Sequence, residues 1–402
     1  MAIRNVWRNK RRTFIAGSAI GIGLAALIFV DALVVGMERN MIGSATESFM
    51  GEAQIHRDGY RESYDVDQTI INADSLTTGL EADNRVMAFT TRVMSFAMIT
   101  SPSGLSSVSM VGINPETEQY LSKTDEAIIE GEYFEGESTR NILIGDDLAD
   151  LLEAKIGSRI VLTVSQAETG DLSQEMFRIS GIFHFNIKEM DRGMVFIRQK
   201  RAQKMLGLEN RIHEIAIIFN DRNLSQDKNI DFWEKYSRYG NEAVSWTVLM
   251  PELKTALQLS SFSTTIVGII LFAVVALGII NTLFMSLHER MFEFGVLRAV
   301  GTRPFAMGRL IVIEAAALAV LASVIGVVLG FTVTAILSRV GIDYTGIEFS
   351  GVTFTELLYP VLKPKQFIIY PITVYIFTIL SSLYPAVYAA KLSPSDAMRK
   401  SV

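Results

Sequence analysis

A run of 28 residues without a charge, Ser260 to Leu287 (SSFSTTIVGIILFAVVALGIINTLFMSL), constrains this chain more than any other feature. The hydrocarbon core of a bilayer takes about 20 helical residues to cross, so this stretch is predicted to span a membrane. The residues that follow, HERMFEFGVLRAVGTRPFAMGR, set Arg290, Arg298, Arg303 and Arg309 against Glu289 and Glu293, and an excess of cations marks the cytoplasmic end of a span. Glu289 and Glu293, four apart, share one face of a helix there, while Met291, Phe294 and Arg298 line another. Gly301 is predicted to stop that helix in a left-handed cap, and Pro304 to open the next one.

Two readings of this segment stand side by side on its residues alone. One is a connector whose apolar groups lie in the headgroup layer. The other is a docking helix for a cytoplasmic partner, with Phe294 and Leu297 as apolar anchors and Glu289, Glu293 and Arg298 as a charged rim.

Three further apolar runs meet the same length test: Thr13 to Val30 with its continuation past Asp31 to Met37, Ala315 to Ser338, and Gln366 to Ala390. The expected class is therefore a membrane protein with four transmembrane α-helices and a large mixed α/β extracytoplasmic domain between the first and second spans. The expected boundaries are an amphipathic N-terminal helix at 1–12, spans at 13–38, 259–287, 310–338 and 366–390, and an external domain at 39–258. A cytoplasmic loop at 288–309, an external loop at 339–365 and a cytoplasmic tail at 391–402 complete the division. Charge supports this arrangement: residues 1–12, 288–309 and 391–402 hold 12 of the 37 Lys and Arg but 3 of the 43 Asp and Glu, for a net +9 against −15 elsewhere. All three basic segments then lie on one face, which an even number of spans allows, with both termini cytoplasmic.

Within 39–258, GEAQIHRDGY, VMAFTTRVMSFAMIT, LSSVSMVGINPE, FRISGIFHF, RGMVFIRQ and HEIAIIFND read as strands, RNILIGDDLADLLEAKIGSRIVLTV as strand, Gly145 turn, short amphipathic helix, Gly157 turn and strand, and RAQKMLGL as a helix. In the spans, Gly17 with Gly21 and Gly326 with Gly330 form small-xxx-small pairs that let a second helix approach closely. Asp31 and Glu314 are the ionisable groups inside apolar runs, where charge is costly and functional by default. The structural alternative places Asp31 at the outer boundary and pairs Glu314 with Arg309.

Several chemistries are excluded. The chain has no cysteine, so thiolate metal sites, cysteine nucleophiles and disulfides are out. It has no G-x-x-x-x-G-K-[ST], so it does not itself cradle ATP by the P-loop route. The histidines His56, His184, His213 and His288 are scattered, and no metal site, catalytic constellation, resident cofactor or nucleic-acid partner is expected.

ERMFEFGVLRAVGTRPFAMGRLIVIEA resembles the E-G-LRA-G segment of FtsX-like permeases, the class that includes the MacB, LolC and LolE membrane subunits of ABC transporters. VGINPE, IEGEYF and IGDDLADLLEAKIGSRIVL are similar in order and spacing to elements of that class's extracytoplasmic domain, and YPAVYAAKLSPSDAMR to its C-terminal ending. The resemblance implies that Glu289, Arg290, Glu293, Phe294, Gly295, Leu297, Arg298 and Gly301 belong to a coupling helix contacting a separate ABC ATPase, which binds ATP and Mg. It also implies two ATPase copies, a second permease copy or paralogue, an inner-membrane location and a periplasmic domain. Within the class the chain looks most like LolC and LolE. That implies lipoprotein or lipid cargo taken from the outer leaflet and a LolA-like periplasmic carrier, with peptide or drug export and regulation of a wall hydrolase as alternatives. If acylated cargo enters between the first and second spans, Leu33, Met37, Leu259 and Phe262 are placed by depth to line the cleft.

Overall fold

In a bilayer every backbone polar group must be satisfied within its own segment, which leaves the uncharged runs no option but helix. The computed structural model describes residues 10–134, 136, 138–289, 291–346, 348–349, 352–353 and 357–391, and in it those runs are long helices: Lys10–Ala45, Pro251–Glu289, Pro304–Val340 and Gln366–Lys391. These four are long and apolar enough to cross a membrane. The expected N-terminal helix and C-terminal tail lie outside the described residues, apart from the segment 10–12 and Lys391. At 1.5 Å per residue the 39-residue second helix is about 58 Å long, roughly twice the hydrocarbon thickness. It starts at Pro251 instead of 259, and the first helix runs on past 38 to Ala45, so both are longer than their apolar runs.

The chain divides into two compact units. The first comprises Met1–Arg39, Leu257–Tyr344 and Glu356–Val402. Its core brings together Ile20, Leu24 and Ile28 of the first helix, Val275, Ile279 and Leu283 of the second, Ala315, Leu318 and Ala322 of the third, and Val374 of the fourth. The two glycine pairs meet in a single crossing of the first and third helices. A Cβ on Gly326 would lie 2.7 Å from Leu24 Cβ and 2.8 Å from the Gly21 carbonyl oxygen, and one on Gly21 would lie 3.0 Å from the Ala322 carbonyl oxygen. Backbone meets backbone here, and only hydrogen fits between.

The second unit, Asn40–Ala256 with Thr345–Thr355, is a mixed α/β domain. Its strands are β1 (Ala53–Arg57), β2 (Val86–Thr100), β3 (Leu105–Ile113), β4 (Ile128–Gly131), β5 (Asn141–Gly145), β6 (Arg159–Ser165), β7 (Leu172–Phe183), β8 (Met194–Arg198), β9 (Glu214–Phe219) and β10 (Asn241–Ser245). They join in the order β10-β1-β9-β2-β3-β8-β5-β7-β4, with β6 bridging β2 and β7. The near-continuous apolar runs have a cause: much of the sheet is covered on both faces. Ile142 and Ile144 of β5 and Val195 and Ile197 of β8 enter one core, while the residues between them, Leu143 and Phe196, enter another with Phe49, Val111 and Phe183. Each such fully buried side chain is worth about 1.5–3 kcal/mol relative to exposure. β10 and the helices Ala73–Glu81 and Asp231–Tyr236 escape the sequence reading because each is shorter than about ten residues, too few to fix a period.

Candidate functional site

The segment singled out in the sequence folds as a helix, Met291–Ala299, closed by Gly301 at φ +99°. The Thr302 amide donates to the Leu297 carbonyl at 2.9 Å and the Gly301 amide to the Arg298 carbonyl at 3.1 Å, the paired bonds of a Schellman cap. Pro304 sits in the first turn of the next helix, where its missing N–H costs nothing. The two faces of the short helix differ. Met291, Phe294 and Gly295 are buried, and Phe294, only 2% exposed, packs with Leu287, Met307, Ile311, Ala386 and Ala389. Phe294 therefore departs from its expected place as an outward anchor: it seats the helix on the ends of the second, third and fourth long helices.

The outward face carries Glu289, Phe292, Val296, Leu297 and Val300, with Phe305 beyond the cap, while Glu293 and Arg298 are half-exposed. Phe292 is 54% and Val300 82% exposed, and together with Val296 and Leu297 they place several large apolar groups on one exposed side. Sequence reasoning selected Leu297 and missed Phe292, Val296, Val300 and Phe305. The signal was present, since 292, 296 and 300 follow at intervals of four, but it competed with the equally regular stripe at 291, 294 and 298. Arg298 is partly occupied at home, donating through Nη1 to the Thr302 carbonyl at 3.3 Å. Arg290 lies outside the described residues.

Between the first and second long helices the membrane unit holds a half-open cavity of about 370 Å³. Val30, Asp31, Val34, Val35 and Glu38 line it from the first helix, Ser261, Thr264, Thr265 and Phe272 from the second, and Tyr370 from the fourth. Leu33, Met37, Leu259 and Phe262 do not line it, and Leu259 and Phe262 are 61% and 65% exposed. Depth along a helix was readable from the sequence, but rotation about its axis was not, and 100° per residue turns Leu33 away where Val34 turns in. Thr264 and Thr265 return their hydroxyls to the carbonyls of Ser260 and Ser261, at 2.9 and 3.0 Å, so the wall is mainly apolar. Asp31 accepts a 2.7 Å hydrogen bond from Gln366 Nε2, and Gln366 Oε1 in turn accepts from the Lys363 amide at 3.0 Å. Glu314 is buried and accepts from Ser286 Oγ at 3.3 Å.

In the external domain the fold assembles charges that no motif announced. Arg92, fully buried, donates from Nε to Glu118 Oε2 at 3.1 Å, from Nη1 to Glu214 Oε1 at 2.7 Å and from Nη2 to the Phe49 carbonyl at 2.6 Å. Its guanidinium carbon lies 3.7 Å from the Phe49 ring centre. Burial pushes the Glu214 carboxyl up, but hydrogen bonding to His56 and the charge of Arg92 outweigh it and hold Glu214 below its ordinary range. Partners 26 and 122 positions apart leave no sequence signal.

Asp146, His184 and Asp191 also converge, with ligand atoms within 4.8 Å of one another, although the scattered histidines gave no reason to expect it. His184 Nδ1 lies 2.9 Å from Asp146 Oδ2 and 3.5 Å from Asp191 Oδ2. Burial lowers the His184 pKa, but hydrogen bonds to Asp146 and Asn186 and the two carboxylates more than reverse it, so the imidazole is raised above its ordinary value.

Comparison with known proteins gives these features a context. Residues 13–227 match the MacB-like periplasmic core domain, and residues 265–394 the C-terminal part of FtsX-like permeases. The chain is 23% identical over 278 residues to the lipoprotein-releasing system transmembrane protein LolC of Xylella fastidiosa (strain 9a5c), a match spanning 64% of each chain. It is 21% identical over 394 residues to the transmembrane protein LolE of the same system in Haemophilus influenzae, covering 95% of this chain and 93% of that one. Among solved structures, the periplasmic region of MacB from Actinobacillus actinomycetemcomitans is similar over 51% of this chain and 94% of that one, at 10% identity and a TM-score of 0.35.

Proposed function

The chain belongs to the FtsX-like permeases built around a MacB-like periplasmic core domain, and from that premise we propose that it is the membrane subunit of an ABC transporter performing mechanical work outside the inner membrane. ATP and Mg are bound by a separate cytoplasmic subunit, present in two copies because the permease works as a pair with a second copy or a paralogue. The observation that carries the reading is the two-sided helix Met291–Ala299: Phe294 locks one side to the long helices, and Phe292, Val296 and Leu297 present the other. A partner pressing on such a helix moves the helices on which it is seated instead of bending a loop. The termini and residues 288–309 are cytoplasmic in this reading and the domain at 39–258 periplasmic. The first and second long helices transmit the motion.

The cargo is a lipoprotein or lipid drawn from the outer leaflet. Support comes from the curated relatives named LolC and LolE and from the apolar cavity between the first and second long helices. A strongly hydrated ammonium in that cavity would sit among acyl chains and weaken cargo binding. A LolA-like carrier receives what is released.

The test is photocrosslinking from Val34 and Thr265, which face the cavity, with Phe262 on the exposed side as reference. Acylated cargo captured at 34 and 265 in the absence of ATP, and lost on ATP addition, is the expected result. Equal capture of bulk lipid at all three positions, or capture of a soluble wall hydrolase through the external domain in place of cargo, would overturn it.

A further inference from the structure

We propose that the external domain holds a second binding site, distinct from the helix cavity, for a small amphiphile with an apolar body and a hydrogen-bond-donating head such as an amine. The site is a cavity of about 360 Å³ floored by β1, β2 and β9 and bordered by the short helix Tyr60–Ser63. That volume falls in the range of small-molecule pockets, roughly 300–1,000 Å³. Its apolar wall is thioether and aromatic: Met50, Met94, Met190 and Met194 line it, with Tyr64 and Phe96 stacked edge to face at 6.0 Å. Methionine side chains have three rotatable bonds and a polarisable sulfur, so such a wall adapts to apolar bodies of different shape.

The polar end is what marks it as a site. His56 and Tyr60 both line the cavity and are 2% and 1% exposed, yet His56 Nδ1 and the Tyr60 hydroxyl have no hydrogen-bond partner. Buried polar atoms are almost always satisfied, and two orphans at one cavity call for a missing partner. The direction of the missing bond follows from the neighbours. Gln54 donates through Nε2 to the Met50 carbonyl at 2.7 Å, which leaves its Oε1 as the acceptor 3.0 Å from His56 Nε2. Nε2 therefore carries the proton, and in the neutral ring Nδ1 is a bare acceptor. Glu214 Oε2 lies 3.4 Å from the same Nε2. Arg92, beneath this floor, faces two carboxylates, Glu118 and Glu214, and with Arg61, which also lines the cavity, the formal charges balance. Arg61 donates to the carbonyls of Val248 and Leu249. An acceptor and a hydroxyl without partners, beside a carboxylate already paired to Arg92, match a donor head.

The chain has no cysteine, which makes a single introduced thiol unique. Ser109→Cys lines the cavity, and exposed Ser107→Cys on the same strand does not. The measurement is the alkylation rate of each full-length variant in lipid nanodiscs with 2-phenylethylamine, 2-phenylethanol or 3-phenylpropionate, three soluble probes of one body and different heads. A fragment of this size binds in the millimolar range, so at 10 mM the amine should slow alkylation at 109 about threefold or more and the alcohol and the carboxylate less, with 107 unaffected. Tyr60→Phe removes only the orphan hydroxyl, so it should leave thermal unfolding unchanged or raised while weakening the amine's protection. No protection by any probe would overturn the site. Equal or stronger protection by the carboxylate would overturn the donor-head assignment, and full protection retained in Tyr60→Phe would overturn the role of the hydroxyl. None of these outcomes depends on the ATPase or on the helix cavity, so they leave the transporter reading to its own test.

Discussion

The external domain and the membrane unit solve the same problem, holding segments far apart in sequence together, by opposite means. In the domain, side chains fill the space: the sheet is packed on both faces by Ile, Leu, Val and Phe, and a fully buried arginine is matched by two carboxylates. In the membrane unit, side chains are removed where the helices cross, and Gly21 and Gly326 let backbones touch. Water explains the difference. Apolar burial drives the domain together because the alternative is exposure to solvent, whereas a helix in lipid is already surrounded by hydrocarbon and gains only from close contact. Ionisable groups follow the same division. The domain pairs a buried cation with carboxylates, while in the membrane unit Asp31 accepts from Gln366 and Glu314 from Ser286, both neutral.

That contrast can be broken experimentally, beginning with the largest effect. Arg92→Met leaves two buried carboxylates without their cation, and removing one partner of a buried charge set costs roughly 3–5 kcal/mol. Thermal unfolding of the domain in the full-length chain should fall accordingly, while the membrane unit keeps its transition; a loss below about 1 kcal/mol would mean the network is not what orders β2 and β9. Next, Phe294→Ala empties a buried site beneath the short helix, and an aromatic truncation of this kind costs up to about 3–5 kcal/mol in water and less where lipid or a neighbour refills the gap. Detergent melting should register it, whereas Leu297→Ala, on the exposed side, should leave melting untouched.

The crossing comes third. Gly326→Ile drives a side chain into Leu24 and the Gly21 carbonyl, an overpacking worth about 1–3 kcal/mol, and disulfide formation between cysteines placed across the first and third helices should slow. An unchanged crosslinking rate would show that the crossing yields. The smallest effect is one of pH. The His184 pKa is raised in the folded state, so its contribution is fully present below the ordinary histidine value of 6.5 and is lost as pH rises through the raised value. Asp191, raised by burial against hydrogen bonds from the Phe185 and Ile187 amides, acts in the same direction. Because His184 is partly solvated the total should stay below about 1 kcal/mol, and His184→Gln should flatten the slope of stability against pH above 6.5. A slope that survives the substitution would assign it elsewhere.

How much could be read in advance also divides along these lines. The spans were legible because hydrocarbon permits one answer to an uncharged run of about 20 residues, and the Gly301 cap because only a glycine takes φ +99° without strain. Strands β2, β3, β5 and β8 were legible because their apolar runs are bounded by turn residues. Rotation about a helix axis was not, which is why Phe294 and Leu297 were grouped as anchors and why Leu33 and Met37 were assigned a cavity that Val34 and Val35 line. Nor was anything that depends on strands meeting: Arg92 finds Glu214 across 122 positions, and His184 finds Asp146, through sheet topology alone.

The central claim is that the exposed side of Met291–Ala299 is the surface through which ATP hydrolysis reaches the rest of the chain. The most direct test is ATP turnover by the permease reconstituted in nanodiscs with its ATPase, comparing the parent chain with the double variant Val296→Glu, Leu297→Glu. Both positions are exposed, so membrane insertion and melting should be unchanged. Losing apolar anchors at an interface can cost about 2 kcal/mol or more each, so permease-stimulated turnover should fall to the level of the ATPase alone and the two should no longer co-purify. Parental turnover and intact co-purification in the double variant would contradict the account.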